Sequence, residues 1–253
     1  MRIVRFELER LEHWGVLVDG VVWRADGEPF VDLRPAEQVG ALGDVRLLAP
    51  VRPRSVMCIG RNYADHASEL GNEVPEEPLV FSKPVAAVIG PGAAIERPPM
   101  AERVDHEAEL VVVIGAVARR VRRSEAASVI GGYTLGNDVT ARDLQHRDGQ
   151  WTRGKGFDTF CPLGPWVDTE IDPAGLRLTC TVDGELRQDG SLDDLVFDIP
   201  SLVAYVTSFT TLVPGDVIMT GTPAGVGPLD VGQTVTVAVD GLGELSNPVV
   251  DGA

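Results

Sequence analysis

A mixed, β-rich α+β fold with few short helices and a small N-terminal β appendage is what this 253-residue sequence predicts. Three observations carry that expectation. Short runs rich in Val, Ile and Leu recur along the chain and close on Asp-Gly or Gly-Pro pairs, the punctuation of strands and tight turns. Helical spacing of apolar residues is confined to a few segments, chiefly 200–212. Pro50 and Pro53 mark a boundary between an N-terminal β segment, residues 1–50, and a longer segment, residues 55–253.

In the first segment Trp14–Val18, the Asp19-Gly20 turn and Val21–Trp23 form a two-residue hairpin, and His13 beside Trp14 reads as packing. Past the boundary, the strand Val56–Ile59 runs into a short helix with Gly71 as its stop signal. Leu79–Phe81 is the next strand, Ile89-Gly90-Pro91-Gly92 a tight turn, and Leu110–Ile114 a buried strand. Ser124–Ile130 reads as a short helix closed by Gly131 and Gly132, and Tyr133–Val139 as a strand. Residues Trp151–Pro165 carry too many glycines and prolines for regular structure. Strands follow at Leu176–Val182, Glu185–Gln188, Val217–Thr220, Thr234–Val239 and Glu244–Val250. Between them lies a helix over Pro200–Leu212, with Asp198 as its cap and Leu202, Val203, Val206 and Phe209 on its inner face.

Composition excludes several classes of function. The longest apolar run, Leu110–Ala118, is interrupted by Gly115 and falls far short of a membrane span. The first ten residues scatter charges and lack the apolar core of a secretory signal, so a cytoplasmic location is expected. Cys58, Cys161 and Cys180 are widely spaced and odd in number, which argues against a disulfide framework and a cysteine zinc site. A formal charge of −16 disfavours nucleic acid as a partner. The one basic cluster, Arg119, Arg120, Arg122 and Arg123, reads as a solvated turn.

The stretch from Val104 to Asp138 concentrates charge where a plain fold avoids it. Glu107 and Glu109 lead into the apolar run Leu110–Ile114, and residues two apart on a strand share a face with α-carbons roughly 7 Å apart. Two like charges at the mouth of a core repel, and a divalent cation relieves that repulsion through carboxylate oxygens. Taken alone, the pair reads as the wet face of an edge strand, and it is the rest of the chain that turns the reading toward a cation. Asp138, on a strand able to lie beside the first, would add a third oxygen ligand. His66 and Glu69, three apart on the predicted helix, can form a dyad in which the carboxylate fixes the tautomer of a general base; a surface His-Glu pair fits the same spacing. Arg142 and Gln145 share that spacing, and Lys155 stands between two glycines on a loop from which it can reach a pocket or solvent. The glycine loop Gly221–Pro228 lacks the Lys-Ser/Thr ending of a phosphate loop, and Gly241-Leu-Gly-Glu-Leu-Ser keeps only the first glycines of a dinucleotide fingerprint.

Five stretches in order agree with one another: Gly60-Arg61-Asn62-Tyr63-Ala64-Asp65-His66 with Glu69, His106-Glu107-Ala108-Glu109-Leu110, Gly136–Asp143, Lys155-Gly156-Phe157-Asp158-Thr159-Phe160, and Thr220-Gly221-Thr222-Pro223. Together they resemble the fumarylacetoacetate hydrolase family over roughly residues 55–250. The resemblance implies a β-roll core, a homodimer, and Mg²⁺ or Mn²⁺ on Glu107, Glu109 and Asp138. It further implies a catalytic His66-Glu69 dyad on a segment that closes over substrate, with Lys155 catalytic and Arg61, Tyr63, Lys83, Arg142, Gln145 and Thr222 as substrate-binding residues. The N-terminal part is much shorter than that of the founding hydrolase, and the family members most alike in length act on small 2-oxo or 2-hydroxy-dienoic diacids.

The expected activity is metal-dependent cleavage of a carbon–carbon bond, by hydrolysis or decarboxylation, in a small 2-oxo or acylpyruvate-type diacid, with isomerisation of a 2-hydroxy-dienedioate as the alternative. A glycoside hydrolase using Glu107 and Glu109 fits less well, because its two carboxylates flank the scissile bond whereas these share a strand face. A non-catalytic β module holding a structural cation would not need the dyad or Lys155.

Overall fold

The computed structural model describes residues 1–69 and 71–252; Leu70, the position before the predicted helix stop at Gly71, and Ala253 lie outside them. The N-terminal segment contributes β1 (Arg2–Leu8), β2 (Leu11–Val18), β3 (Val21–Asp26), β4 (Arg34–Ala41) and β5 (Arg46–Leu48). Then come β6 (Val56–Gly60), α1 (Ala64–Glu69), β7 (Leu79–Lys83), β8 (Val88–Ile89), β9 (Ile95–Arg97), β10 (Val104–His106) and β11 (Ala108–Ile114). The middle of the chain forms β12 (Ile130–Asn137), β13 (Thr140–Ala141), α2 (Arg142–Asp148), α3 (Thr152–Lys155) and β14 (Cys161–Asp168). The last third holds β15 (Arg177–Val182), β16 (Glu185–Ser191), α4 (Ile199–Phe209), β17 (Val217–Met219), β18 (Gly227–Pro228), β19 (Thr234–Val239) and β20 (Gly243–Asp251).

A twelve-stranded sheet runs β4-β3-β2-β1-β14-β12-β11-β17-β6-β7, with β5 on β1 and β8 on β14. A five-stranded sheet, β16-β15-β19-β20-β9, and a three-stranded one, β13-β10-β18, complete the architecture. The N-terminal strands therefore do not hang beside the main sheet: β1 pairs antiparallel with β14, Ile3 opposite Val167.

β11 explains where the core sits. It lies between β12 and β17, and all seven of its residues are buried. Leu110, Val112 and Ile114 enter one apolar cluster, with Leu178, Val206 and Val237 from β15, α4 and β19. Val111 and Val113, on the opposite face, enter a second, with Ile3, Val16, Leu163, Val167 and Met219. A strand covered on both faces reads as an unbroken apolar run, which is how Leu110–Ile114 appears in the sequence.

Three local expectations are corrected. The predicted helix over Ser124–Ile130 is a 3-10 stretch, Arg123–Ser128, and Ile130 already belongs to β12. The segment read as irregular, Trp151–Pro165, holds α3 and the start of the fully buried β14. Phe209 is exposed at the end of α4, while Leu202, Val203 and Val206 face inward as expected.

Candidate active site

Three carboxylates meet because of strand register. Residue spacing puts Glu107 and Glu109 on the face of β11 that also carries Val111 and Val113. β12 pairs antiparallel with β11, Ala108 opposite Asn137 and Glu109 opposite Gly136. One step further Asp138 N donates to Glu107 O at 2.8 Å, which sets Asp138 across from Glu107 on the shared face. Gly136 has no side chain because a Cβ there would come within 2.7 Å of Val111 Cγ2. Glu107 itself falls in the break between β10 and β11, where its N–H donates to Asn137 Oδ1 at 2.9 Å.

The ligand oxygens of Glu107, Glu109 and Asp138 lie within 4.8 Å of one another, and all three residues are buried. Their surroundings divide them. Burial opposes ionisation of Glu107, but Lys155 and Arg142 override it and hold its carboxyl well below the usual carboxylate range. Lys155 Nζ donates to Glu107 Oε2 at 2.7 Å and to Asp138 Oδ2 at 2.6 Å, and Arg142 Nη2 donates to Glu107 Oε1 at 2.6 Å. Glu109 accepts the Gly221 N–H at 2.8 Å, a neutral partner, and burial together with the Asp138 charge pushes its carboxyl well up. The cationic side chains thus hydrogen-bond Glu107 and Asp138 while Glu109 has only a backbone N–H, an arrangement that fits a hard divalent cation, which binds oxygen ligands and stabilises their ionised form.

Around the three lies a cavity lined by Arg61, His66, Arg142, Gln145, Lys155 and Thr222, with Phe81 and Trp151 forming an apolar wall. Lys155 stands 5.1 Å from the Phe81 ring centroid and 5.9 Å from that of Trp151. Burial works against its charge, but Asp138 and Glu107 raise its pKa above the ordinary lysine value. Arg142 is spread over three acceptors: Asp105 Oδ2 at 2.9 Å, Gln145 Oε1 at 2.7 Å and Glu107 Oε1.

His66, on α1, is 5% exposed, so the open surface pair does not describe it. Gly71, with φ +68°, closes the α1 region in the left-handed backbone expected of a helix stop. His66 Nδ1 faces Glu69 Oε2 at 3.5 Å, long for a hydrogen bond, and Glu69 also accepts the Gly225 N–H at 3.1 Å. Burial lowers the imidazole pKa, aided by Arg142 and Lys155, and the nearby Glu107 only partly restores it.

Two residues expected at the substrate lie elsewhere. Lys83 is buried behind Asp138, with Nζ donating to Asp138 Oδ1 at 2.5 Å and to Val139 O at 3.0 Å, so it secures the carboxylate from the side away from the cavity. Tyr63 lines a separate pocket with Asp65, Asp189 and Asp194, and its buried hydroxyl has no hydrogen-bond partner among the described residues. Conversely, sequence reasoning missed Asp105, Asn137 and Gln188, which hold site residues in place, and His146, Phe81 and Trp151, which line the cavity. Asp105 precedes Glu107 with the same period of two, a usable signal; the others carry none.

A strand-rich fold without a closed barrel, holding a buried carboxylate triad under a cationic wall, defines a class that known proteins share. Residues 55–250 match the family described as fumarylacetoacetate (FAA) hydrolase C-terminal, and residues 1–50 match the Rv2993c-like N-terminal family. The chain is 49% identical over 212 residues to Protein Rv2993c of Mycobacterium tuberculosis, covering 83% of this chain and 80% of that one. It is 44% identical over 220 residues to the human mitochondrial oxaloacetate tautomerase FAHD2A, covering 82% and 70% respectively. The crystal structure of a 5-carboxymethyl-2-hydroxymuconate delta-isomerase from Mycobacterium smegmatis superposes with a TM-score of 0.93 at 44% identity, over 100% of both chains. The chain belongs to the fumarylacetoacetate hydrolase family, and its strand-rich core is the β-roll of that family.

Proposed function

We propose that this chain is a divalent-metal-dependent enzyme acting on a small 2-oxo diacid through its enolate, with Mg²⁺ or Mn²⁺ held by Glu107, Glu109 and Asp138. The observation that carries the reading is the junction of that carboxylate cluster with a cavity wall of Arg142, Gln145, Lys155 and Thr222, which suits a ligand bearing carboxylate and oxo groups. When bound, the cation supplies Lewis-acid stabilisation of the negative charge that develops on a 2-oxo acid.

The side chains supply the rest. Arg142 and Lys155 place fixed positive charge where an anion forms, in a buried setting that strengthens the interaction. His66, held neutral by burial, is ready to accept a proton, and Glu69 is placed to stabilise the imidazolium that results. Phe81 and Trp151 keep water from the Lys155 ammonium.

Two fates of the enolate are open to these groups. Relocation of a proton yields a tautomer or isomer, and the relatives named oxaloacetate tautomerase and delta-isomerase, each 44% identical, support placing it ahead of the cleavage that the residues alone favoured. Cleavage of the adjacent carbon–carbon bond is the second reading, favoured by a neutral imidazole at the cavity able to activate water.

One assay separates them. The purified protein is stripped with EDTA and resupplied with Mg²⁺ while enol–keto conversion of oxaloacetate is followed by absorbance and pyruvate release by coupled reduction. Loss and recovery of the first signal is expected. Glu109→Ala is expected to abolish metal binding and turnover together, whereas His66→Ala keeps the metal and slows turnover by about 100-fold or more. Indifference to EDTA rejects the reading, and full turnover by His66→Ala removes the dyad from it.

A further inference from the structure

A threonine hydroxyl can donate or accept a hydrogen bond, and nothing in its own geometry decides which. At Thr222 a neighbour outside the cavity takes up one of the two lone pairs. Gln188, in β16, is 1% exposed although Arg187 and Asp189 on either side of it are exposed. Its side-chain amide reaches from the five-stranded sheet to both the strand of the glutamates and the loop of Thr222. Oε1 accepts the Ala108 N–H at 3.0 Å and lies 3.0 Å from His106 Nδ1. Nε2 donates to Pro223 O at 2.8 Å and to Thr222 Oγ1 at 2.7 Å.

The orientation of this amide is dictated by its partners. A backbone N–H only donates and a backbone carbonyl only accepts, so a reversed amide would set donor against donor at Ala108 and acceptor against acceptor at Pro223. His106 must then carry its proton on Nδ1, where it donates to the same Oε1. Thr222 Oγ1 receives a hydrogen from Gln188 and has its own left to give. Thr222 lines the cavity together with Glu109, Asp138 and Arg142.

We infer that Gln188 is a positioning residue: by donating to Thr222 Oγ1 it takes up one lone pair and leaves the hydroxyl hydrogen free to be given to a carboxylate or oxo oxygen of the ligand. The inference rests on the reading of the cavity as a site for a 2-oxo diacid.

The test is calorimetric titration of the Mg²⁺-loaded protein with oxalate, whose adjacent carboxylates imitate the enolate of a 2-oxo acid, in a buffer alkaline enough to keep an introduced carboxylate ionised. Gln188→Glu substitutes an acceptor that captures the Thr222 hydrogen, and Thr222→Val removes that hydrogen. Each is expected to weaken oxalate about tenfold or more, the range of one hydrogen bond to a charged group. The double variant is expected to bind no more weakly than Thr222→Val alone, and Thr222→Ser to stay near wild type. If Gln188 merely braced β16 against β11, its replacement would weaken oxalate by the same factor with or without the Thr222 hydroxyl, and that additive result overturns the inference. Gln188→Met carries the same cycle should the charged variant fail to fold. Strong oxalate binding that is equal in wild type and Gln188→Glu overturns the role of Gln188 alone. A wild-type protein that takes up Mg²⁺ but no oxalate overturns the reading of the cavity, and the inference with it.

Discussion

Asp105 shows what a single buried charge contributes here. It is 0% exposed, its Oδ2 accepts Arg142 Nε at 2.9 Å, and its Oδ1 accepts Arg103 Nε at 2.7 Å. Removing one partner of a buried ion pair leaves the other uncompensated, which costs about 3–5 kcal/mol. Asp105→Asn is therefore expected to lower the unfolding free energy by about 3 kcal/mol in guanidinium titration; a loss below about 1 kcal/mol would mean that Glu107, which also holds Arg142, compensates its charge. The residues legible in the sequence were those whose chemistry clashes with their neighbours. Glu107, Glu109 and Asp138 stand out because carboxylates border an apolar run. Gln188 does not, because a glutamine between exposed polar residues looks like any surface strand until the sheets are packed. The resemblance that groups Lys83 and Tyr63 with the substrate fixes the strand or turn each side chain leaves from but not where it reaches: Lys83 meets Asp138 and Tyr63 a separate pocket.

At the scale of elements, α4 is the clearest case of a sequence signal fulfilled. Asp198 caps it, accepting the Ser201 N–H at 3.0 Å, with Pro200 in the first turn and Arg123 paired to the same carboxylate. Asp198→Ala is expected to destabilise the chain by about 1 kcal/mol, a fall of about 2–4 °C in thermal midpoint for a protein of this size. An unchanged midpoint in scanning calorimetry would show that the cap is redundant with the ends of the neighbouring 3-10 stretch. The hairpin at Asp19-Gly20 was equally legible, since both residues take the positive φ that such a turn requires. β14 was not. It contains Pro162, Gly164 and Pro165, which argue locally against a buried strand. The strand survives because its ladder with β12 shifts register on passing from Leu135–Gly164 to Tyr133–Asp168, so Pro165 falls where no paired N–H is demanded. Only the long-range partners make that arrangement possible, and no local pattern records them.

At the scale of the whole molecule, the boundary at Pro50–Pro53 separates two stretches of sequence that share one sheet and one core. Ile3, Val16 and Leu33 pack in the same apolar cluster as Val111, Val113 and Leu163, next to the strand that bears the glutamates. Arg2 also ties to Asp168 across the β1–β14 ladder. Expression of residues 55–253 alone is expected to give an insoluble or early-melting product, because removing β1 strips one edge of β14 and uncovers the cluster behind it. A soluble fragment with the thermal midpoint of the full chain would refute this. The β1–β14 pairing joins positions 166 residues apart. On the ribosome, the meander made from the first five strands must wait with an unzipped flank until β14 has been synthesised. β1 thus waits through the synthesis of more than half of the chain for this neighbour, and that interval is one in which the nascent polypeptide needs a chaperone.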